Sequence, residues 1–354
     1  VNIAGFCTQS SVLVVVGKGG VGKTTVSAAL AGLAARSGFS VLLVHIEETS
    51  GTSAAPAHDF QTRSEVELSS PGSGDGRTPA GPIQARAINP EDALVEYLTV
   101  HGFRRAARHL ANSAMLEVVA TAIPGLRDIL VLGQIVQLER AGAADLIVVD
   151  GPAAGHATRF LTSAQGLLGS SRAGPVRTQA ADVVELLSDQ ARCRVLLVTL
   201  AEETPVNETV ETAFTLQAQV GMHFGPVIVN GLYPRLDHLD ADPDDAAAAA
   251  GVILRPDQAE AMRRAAVFRR RREEMQAEQA ARLAEALPLP QVWLPHLFTG
   301  EIGRPEMDLL IDALETGLVK LREPPRRAGW TVSSEPASED RVPARAAAAQ
   351  GSLA

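Results

Sequence analysis

Apolar positions along the chain come in two rhythms. Short, nearly unbroken runs rich in valine, leucine and isoleucine recur at Ser11–Val16, Val41–Ile46, Leu146–Val149, Val195–Thr199 and Val227–Asn230. Runs of that length, bounded by polar or turn residues, read as strands buried on both faces. Ile83–Ile88 reads as an edge strand, and Trp293-Leu294 as the last piece of sheet. Between the runs, helical spacing appears over Thr24–Ser37 (closed by Gly38), Asp257–Ala286 and Met307–Leu321. Buried strands alternating with helices predict an α/β fold, with a mostly parallel central sheet covered by helices on both faces.

One interval breaks the alternation. Asn89 is a good helix cap and Pro90 suits the first helical position. Helical patterning then continues, interrupted at Pro124-Gly125, to about Arg140. Roughly fifty residues of helix exceed a simple strand–helix–strand crossover. Residues 89–140 therefore read as a helical subdomain inserted in a single domain that spans 1–322. Its apolar residues, among them Met115, Val118, Ile129 and Val136, either pack internally or line a groove for a hydrophobic client. The Pro/Gly-rich stretch at about 62–82 reads as a flexible loop. Residues 323–354, rich in Pro, Ser, Ala and Arg, read as a disordered tail.

Composition narrows the classes. A net charge of −9 speaks against a broad nucleic-acid surface. Cys7 and Cys193 are the only cysteines, so neither a zinc site nor an iron–sulfur cluster is expected. No apolar run reaches membrane-spanning length, and the start lacks the pattern of a signal peptide. A cytoplasmic location without stable membrane insertion is expected.

Arginine supplies nearly all the positive charge. Only three lysines occur, and two of them, Lys18 and Lys23, share the stretch Gly17-Lys18-Gly19-Gly20-Val21-Gly22-Lys23-Thr24-Thr25. This fits the pattern G-x-x-x-x-G-K-[ST], between a strand and a helix as the pattern requires. The glycines let backbone amides surround an anion, and the helix N-terminus adds partial positive charge. Lys23 is placed to reach the β- and γ-phosphates of a nucleotide, and Thr24 to hold Mg²⁺. Asp150 ends a buried strand, where the acidic residue serving that metal belongs. A Gly- and Pro-containing segment follows it and reads as a loop that changes path with the γ-phosphate.

These stretches resemble the arsenical-pump and tail-anchored-protein-targeting ATPase family, a group with a second lysine in the phosphate loop. The likeness rests on GKGGVGKTT (Gly17–Thr25), DGPAAGHATRFL (Asp150–Leu161), INPEDALVEYL (Ile88–Leu98), IPGLRDIL (Ile123–Leu130), VTLAEETPVNET (Val198–Thr209), VIVNGLYP (Val227–Pro234) and LPHLFTGEIG (Leu294–Gly303). The resemblance implies a P-loop NTPase fold and a dimeric, Mg²⁺-dependent ATPase whose nucleotide state moves the helical insert and a client. It implies that Gly17, Gly19, Gly20, Val21, Gly22, Lys23, Thr24 and Thr25 cradle the phosphates. Lys18 would cross to the phosphates of a second subunit, a homologous or paralogous copy. Asn230 and the loop from Pro295 to Gly303 would hold adenine.

The chain departs from the family in its first switch. Where the family carries D-P-A-H-S, this sequence reads His45-Ile46-Glu47-Glu48-Thr49-Ser50-Gly51, so Glu47 takes the place of the water-orienting Asp. The added methylene moves the carboxylate by more than ~1 Å, a displacement that can cost about 10²-fold in rate. A second reading follows: a nucleotide-gated adaptor or chaperone subunit with weak hydrolysis, paired with a paralogous ATPase. His156 reads as a conformational residue or as a base. The run Arg263–Arg272 reads as a solvated helix face or a contact for an acidic partner. The last helix, with Asp308, Asp312 and Glu315, reads as packed on the sheet rather than lying on a membrane.

Overall fold

The computed structural model describes residues 3–46, 80–100, 102, 125–170 and 174–321. Glu47, most of the expected flexible loop, the middle of the insert and the expected tail lie outside the described residues.

The strands are β1 (Val12–Gly17), β2 (Val41–Ile46), β3 (Ile83–Ile88), β4 (Leu146–Ala153), β5 (Cys193–Leu200), β6 (Val227–Leu232) and β7 (Gln291–Pro295). They form one sheet in the order β3-β2-β4-β1-β5-β6-β7, with every pairing parallel. The carboxyl ends of β1, β4 and β5, from the middle of the sheet, meet at one edge. Parallel α/β sheets bind ligands there.

Each buried strand divides its side chains between two cores, as a two-residue repeat demands. Val12, Val14, Leu42, Val44, Ile147, Val149, Val195 and Leu197 enter one. Leu13, Val15, Val41, Leu43, Leu146, Val148, Leu196 and Val198 enter the other. The first core is closed mainly by α4 (Leu126–Arg140), α5 (Ala154–Ser170), α6 (Pro175–Ser188) and α7 (Glu203–Val220). The second is closed by α1 (Ile3–Cys7), α2 (Lys23–Arg36) and α10 (Arg304–Lys320).

Helix α2 is made largely of small apolar residues, and Val26 through Ala35 are all buried. Small side chains let it lie close to its neighbours on several sides. At Gly32 a Cβ would come 2.5 Å from Ile311 Cδ1 of α10, so any larger residue there has to push the end of that side chain aside. Arg36, at the last turn of α2, pairs with Asp308 and Asp312 of α10. The last helix is therefore packed through Leu310, Ile311, Leu314 and Leu318, and part of its acidic face answers α2.

Helix α3 (Pro90–Val100) starts as the sequence suggested: Asn89 Oδ1 accepts from the Glu91 amide at 2.7 Å. It packs on α4 through Ala93, Leu94, Leu126 and Leu130. Beyond β6 come α8 (Pro243–Ala249) and the long α9 (Pro256–Ala286). The arginines of α9 are largely engaged: Arg263 with Asp242 and Asp244, Arg264 with Glu260, Arg269 with Glu273, and Arg272 with Glu202.

One element differs from the reading of the sequence. The segment after Asp150 is not a loop. Strand β4 continues through Gly151 and Pro152 to Ala153, and α5 begins at Ala154 without an intervening turn. Pro lacks an amide donor, which is tolerated where pairing is ending; the β1–β4 register shifts at this point.

Candidate functional site

The phosphate-loop candidate leaves β1 at Gly17 and enters α2 at Lys23. Gly20 and Gly22 have φ of 85° and 89°, a region that L side chains avoid. Val21, between them, is 1% exposed and anchors the loop in the core. Gly22 caps α2, and the first turn of α2 carries no acidic side chain. Its leading amides have no partner within the helix, so the positive end is kept for an anion. Lys23 Nζ donates to the Lys18 carbonyl at 3.2 Å and so curls over the loop.

Asp150 lies beside this loop and is 5% exposed. Its Oδ2 accepts from Thr24 Oγ1 at 2.7 Å, and its Oδ1 from Ser27 Oγ at 3.4 Å. The Thr24 hydroxyl has one proton and gives it to Asp150. Its lone pairs are left for another partner. A hydroxyl oxygen backed by a carboxylate is a hard donor set of the kind Mg²⁺ takes. The residues present therefore fit that ion.

Lys18 points elsewhere. Its Nζ pairs with Glu208 of α7 at 2.5 Å, with both side chains about a third exposed. Next to it a cleft of about 510 Å³ is lined by Lys18, Gly20, Glu202, Thr204, Pro205 and Arg272. Arg272 and Glu202 pair across the same region. Neither Lys23 nor Thr24 lines this cleft.

Asn230, near the end of β6, donates from Nδ2 to the Val21 carbonyl at 2.9 Å. It thus braces the loop, and a purine contact would fall to its Oδ1 or to a rearranged amide. The backbone after it is irregular: Gly231 has φ of 69°. Buried Gln276 of α9 satisfies that irregularity, donating to the Gly231 carbonyl and accepting from the Tyr233 amide. Pro295 ends β7 opposite Leu232. Beyond it, His296 and Phe298 form an aromatic group with Tyr233, at ring separations of 4.6–5.2 Å. The Arg269 guanidinium lies 4.6 Å from the Tyr233 ring centre.

His156 sits on α5 rather than in a loop, and its Nδ1 lies 3.4 Å from Arg159. Both are near Asp128 of α4. Burial pushes the Asp128 carboxyl up, while Arg159, His156 and Arg127 pull it down. Helix α4 and helix α5, which follows Asp150, thus share an electrostatic cluster.

The structure brings together Lys18, Lys23, Thr24, Asp150 and Asn230 around one loop. Reading the sequence missed their supports: Glu208 on Lys18, Ser27 and His45 on Asp150, and the Tyr233, His296 and Phe298 group beside Pro295. His45 left a trace as the one polar residue in VLLVHI, while Glu208, Tyr233, His296 and Phe298 lie inside stretches that carry the family resemblance without being singled out by it.

Residues 10–167 match the sequence model of the anion-transporting ATPases. ATPase BagA of Mycobacterium tuberculosis is 37% identical over 246 residues, covering 67% of this chain and 68% of its own. The chain belongs to the anion-transporting ATPase family. The arsenical pump-driving ATPase of Escherichia coli is 30% identical over 231 residues, 64% of this chain and 36% of that one. ATPase get3 of Schizosaccharomyces pombe is 30% identical over 178 residues, 48% and 50% of the two chains. Membership makes this chain an ATP-binding and ATP-hydrolysing protein. The family match takes in the phosphate loop and Asp150; Asn230 and Pro295 fall beyond it. Among the described residues, no helix is long and apolar enough to cross a membrane.

Proposed function

We infer that this ATPase works as a Mg²⁺-dependent pair of subunits, each closing over the nucleotide of the other, in the cytoplasm. The contact that carries the reading is Thr24 Oγ1 to Asp150 Oδ2, beneath a loop that holds Lys23. Gly17, Gly19, Gly20, Val21, Gly22 and Thr25 shape the phosphate cradle around it. Lys23 leaves the Lys18 carbonyl and takes the β- and γ-phosphate oxygens. Thr24, backed by Asp150, holds Mg²⁺, which when bound neutralises charge on those oxygens. Asn230 and the backbone from Pro295 receive the adenine, with the aromatic group of Tyr233, His296 and Phe298 supporting that loop.

Lys18 exchanges Glu208 for the phosphates of the second subunit. An ion pair this exposed contributes about 0.2–1 kcal/mol, so the exchange is inexpensive. Glu47 orients the attacking water. As its oxygen bonds to phosphorus, the bond to the ADP oxygen breaks, giving ADP and inorganic phosphate. Loss of phosphate relaxes the Asp150–Ala154 segment. Through α5, Asp128 and α4 it shifts the insert of residues 89–140, which engages a hydrophobic or membrane-protein client. Residues 1–322 act in this as one domain.

Replacing Lys18 by Ala is expected to spare ATP binding, measured by calorimetry, while removing turnover. Wild-type hydrolysis by Lys18→Ala would overturn the exchange between subunits. The glutamate in the first switch supports a second reading, a nucleotide-gated adaptor that pairs with a paralogue. Tight ATP binding with negligible turnover by the chain alone, restored by the paralogue, would favour it.

A further inference from the structure

His45 is out of character with its strand. The other five residues of β2 are buried and apolar, whereas the His45 side chain is 44% exposed. Its position is not arbitrary. In the parallel pairing of β2 with β4, His45 stands directly beside Asp150. Lateral neighbours on adjacent strands share a sheet face, and the His45 Nδ1 lies 3.1 Å from Asp150 Oδ2. An ionised carboxylate only accepts, so the imidazole is the donor, through Nδ1–H.

The same oxygen, Oδ2, accepts from Thr24 at 2.7 Å. The torsion that turns an aspartate carboxylate is soft and nearly two-fold, so its donors decide which oxygen faces where. Ser27 on Oδ1, at 3.4 Å, is the weaker restraint. Thr24 and His45 converge on Oδ2 from two different strand–helix units. Together they fix the plane of the carboxylate and keep Oδ2 turned to the hydroxyl that would meet the cation. Outer-shell partners of this kind typically set metal affinity by a factor of about 10–100.

We propose that His45 is a positioning residue of the divalent-cation site: its Nδ1–H orients Asp150 so that Thr24 presents its lone pairs to the metal. The role rests on the reading of Thr24 and Asp150 as the metal support. It predicts a defect in cation binding rather than in nucleotide binding.

The test uses the full chain with a non-hydrolysable ATP analogue and Mn²⁺ as a spectroscopic probe, titrated by electron paramagnetic resonance. His45→Ala should weaken Mn²⁺ binding about 10-fold, with metal-free nucleotide affinity unchanged. His45→Asn offers an amide N–H in place of Nδ1–H and should recover most of the loss. Asp150→Asn separates the two levels of the argument. If it weakens Mn²⁺ binding and His45→Ala does not, His45 has no positioning role. If neither variant changes Mn²⁺ binding, the metal-support reading itself fails. Equal loss of Mn²⁺ and metal-free nucleotide binding in His45→Ala, unrelieved by Asn, would mark His45 as merely structural and also overturn the proposal.

Discussion

Lys23 and Lys18 belong to one loop, yet the halves of the site they lead to are built differently. On the Lys23 side, Thr24, Ser27 and His45 close on a carboxylate that is 5% exposed. On the Lys18 side, Lys18–Glu208 and Arg272–Glu202 are ion pairs about a third open to water, around a cleft. Buried polar groups are costly to leave without partners, so the inner half holds its arrangement. Exposed pairs contribute little and can be traded. In the proposed cycle the first part grips and the second changes partners.

The sharpest way to break this contrast is at the grip. Lys23→Ala removes the ammonium proposed to bind the phosphates and should weaken ATP binding by about 100-fold or more, measured by calorimetry. Retention of wild-type affinity would mean that the loop amides suffice. Gly22→Ala attacks the same half through the backbone. A Cβ there would meet Asn230 Nδ2 at 2.4 Å, on a residue with φ of 89°. The left-handed conformation alone costs roughly 1–2 kcal/mol. A lower melting temperature together with weaker ATP binding is expected.

The outer half should respond more mildly. Glu208→Gln releases Lys18 and should change ATP turnover or subunit association by no more than about fivefold, the equivalent of the ~1 kcal/mol limit for an exposed pair. The effect should shrink in high salt, and a change of 10²-fold would show the pair to be far more than an exchangeable tether. The smallest effect serves as a baseline for burial. Burial pushes the Cys7 thiol up to about 11 and the Cys193 thiol up to about 12. Both side chains are buried, so a thiol reagent should react with the folded chain only as fast as it opens; fast native-state labelling would contradict this.

Strand positions were legible because burial on both faces forces continuous apolar runs. Val41–Ile46 matches β2 residue for residue; β3 (Ile83–Ile88) also matches, but as an edge strand whose IQARAI alternates rather than running apolar throughout. The junction after Asp150 was misread because Gly and Pro mark loops by composition. Here they sit where a strand is leaving its pairing and a helix starts at once. The phosphate loop was legible because its glycines and lysines are contiguous. Its supports were not: Glu208 lies 190 residues from Lys18 in sequence, and His45 lies 105 from Asp150. Only the order of the strands makes them neighbours, and no local pattern encodes that order. Short α1 (Ile3–Cys7) has too few turns to show a period.

The missing methyl group at Gly32 has a mechanical meaning. Helix α2 lies between the sheet and α10, with Ile311 packed against the bare Cα of Gly32. In the proposed cycle it serves as an anvil beneath the nucleotide. On that reading the stroke runs sideways, along the β4–α5 junction, and an added methyl at Gly32 would displace Ile311 in the fixed part rather than the moving one.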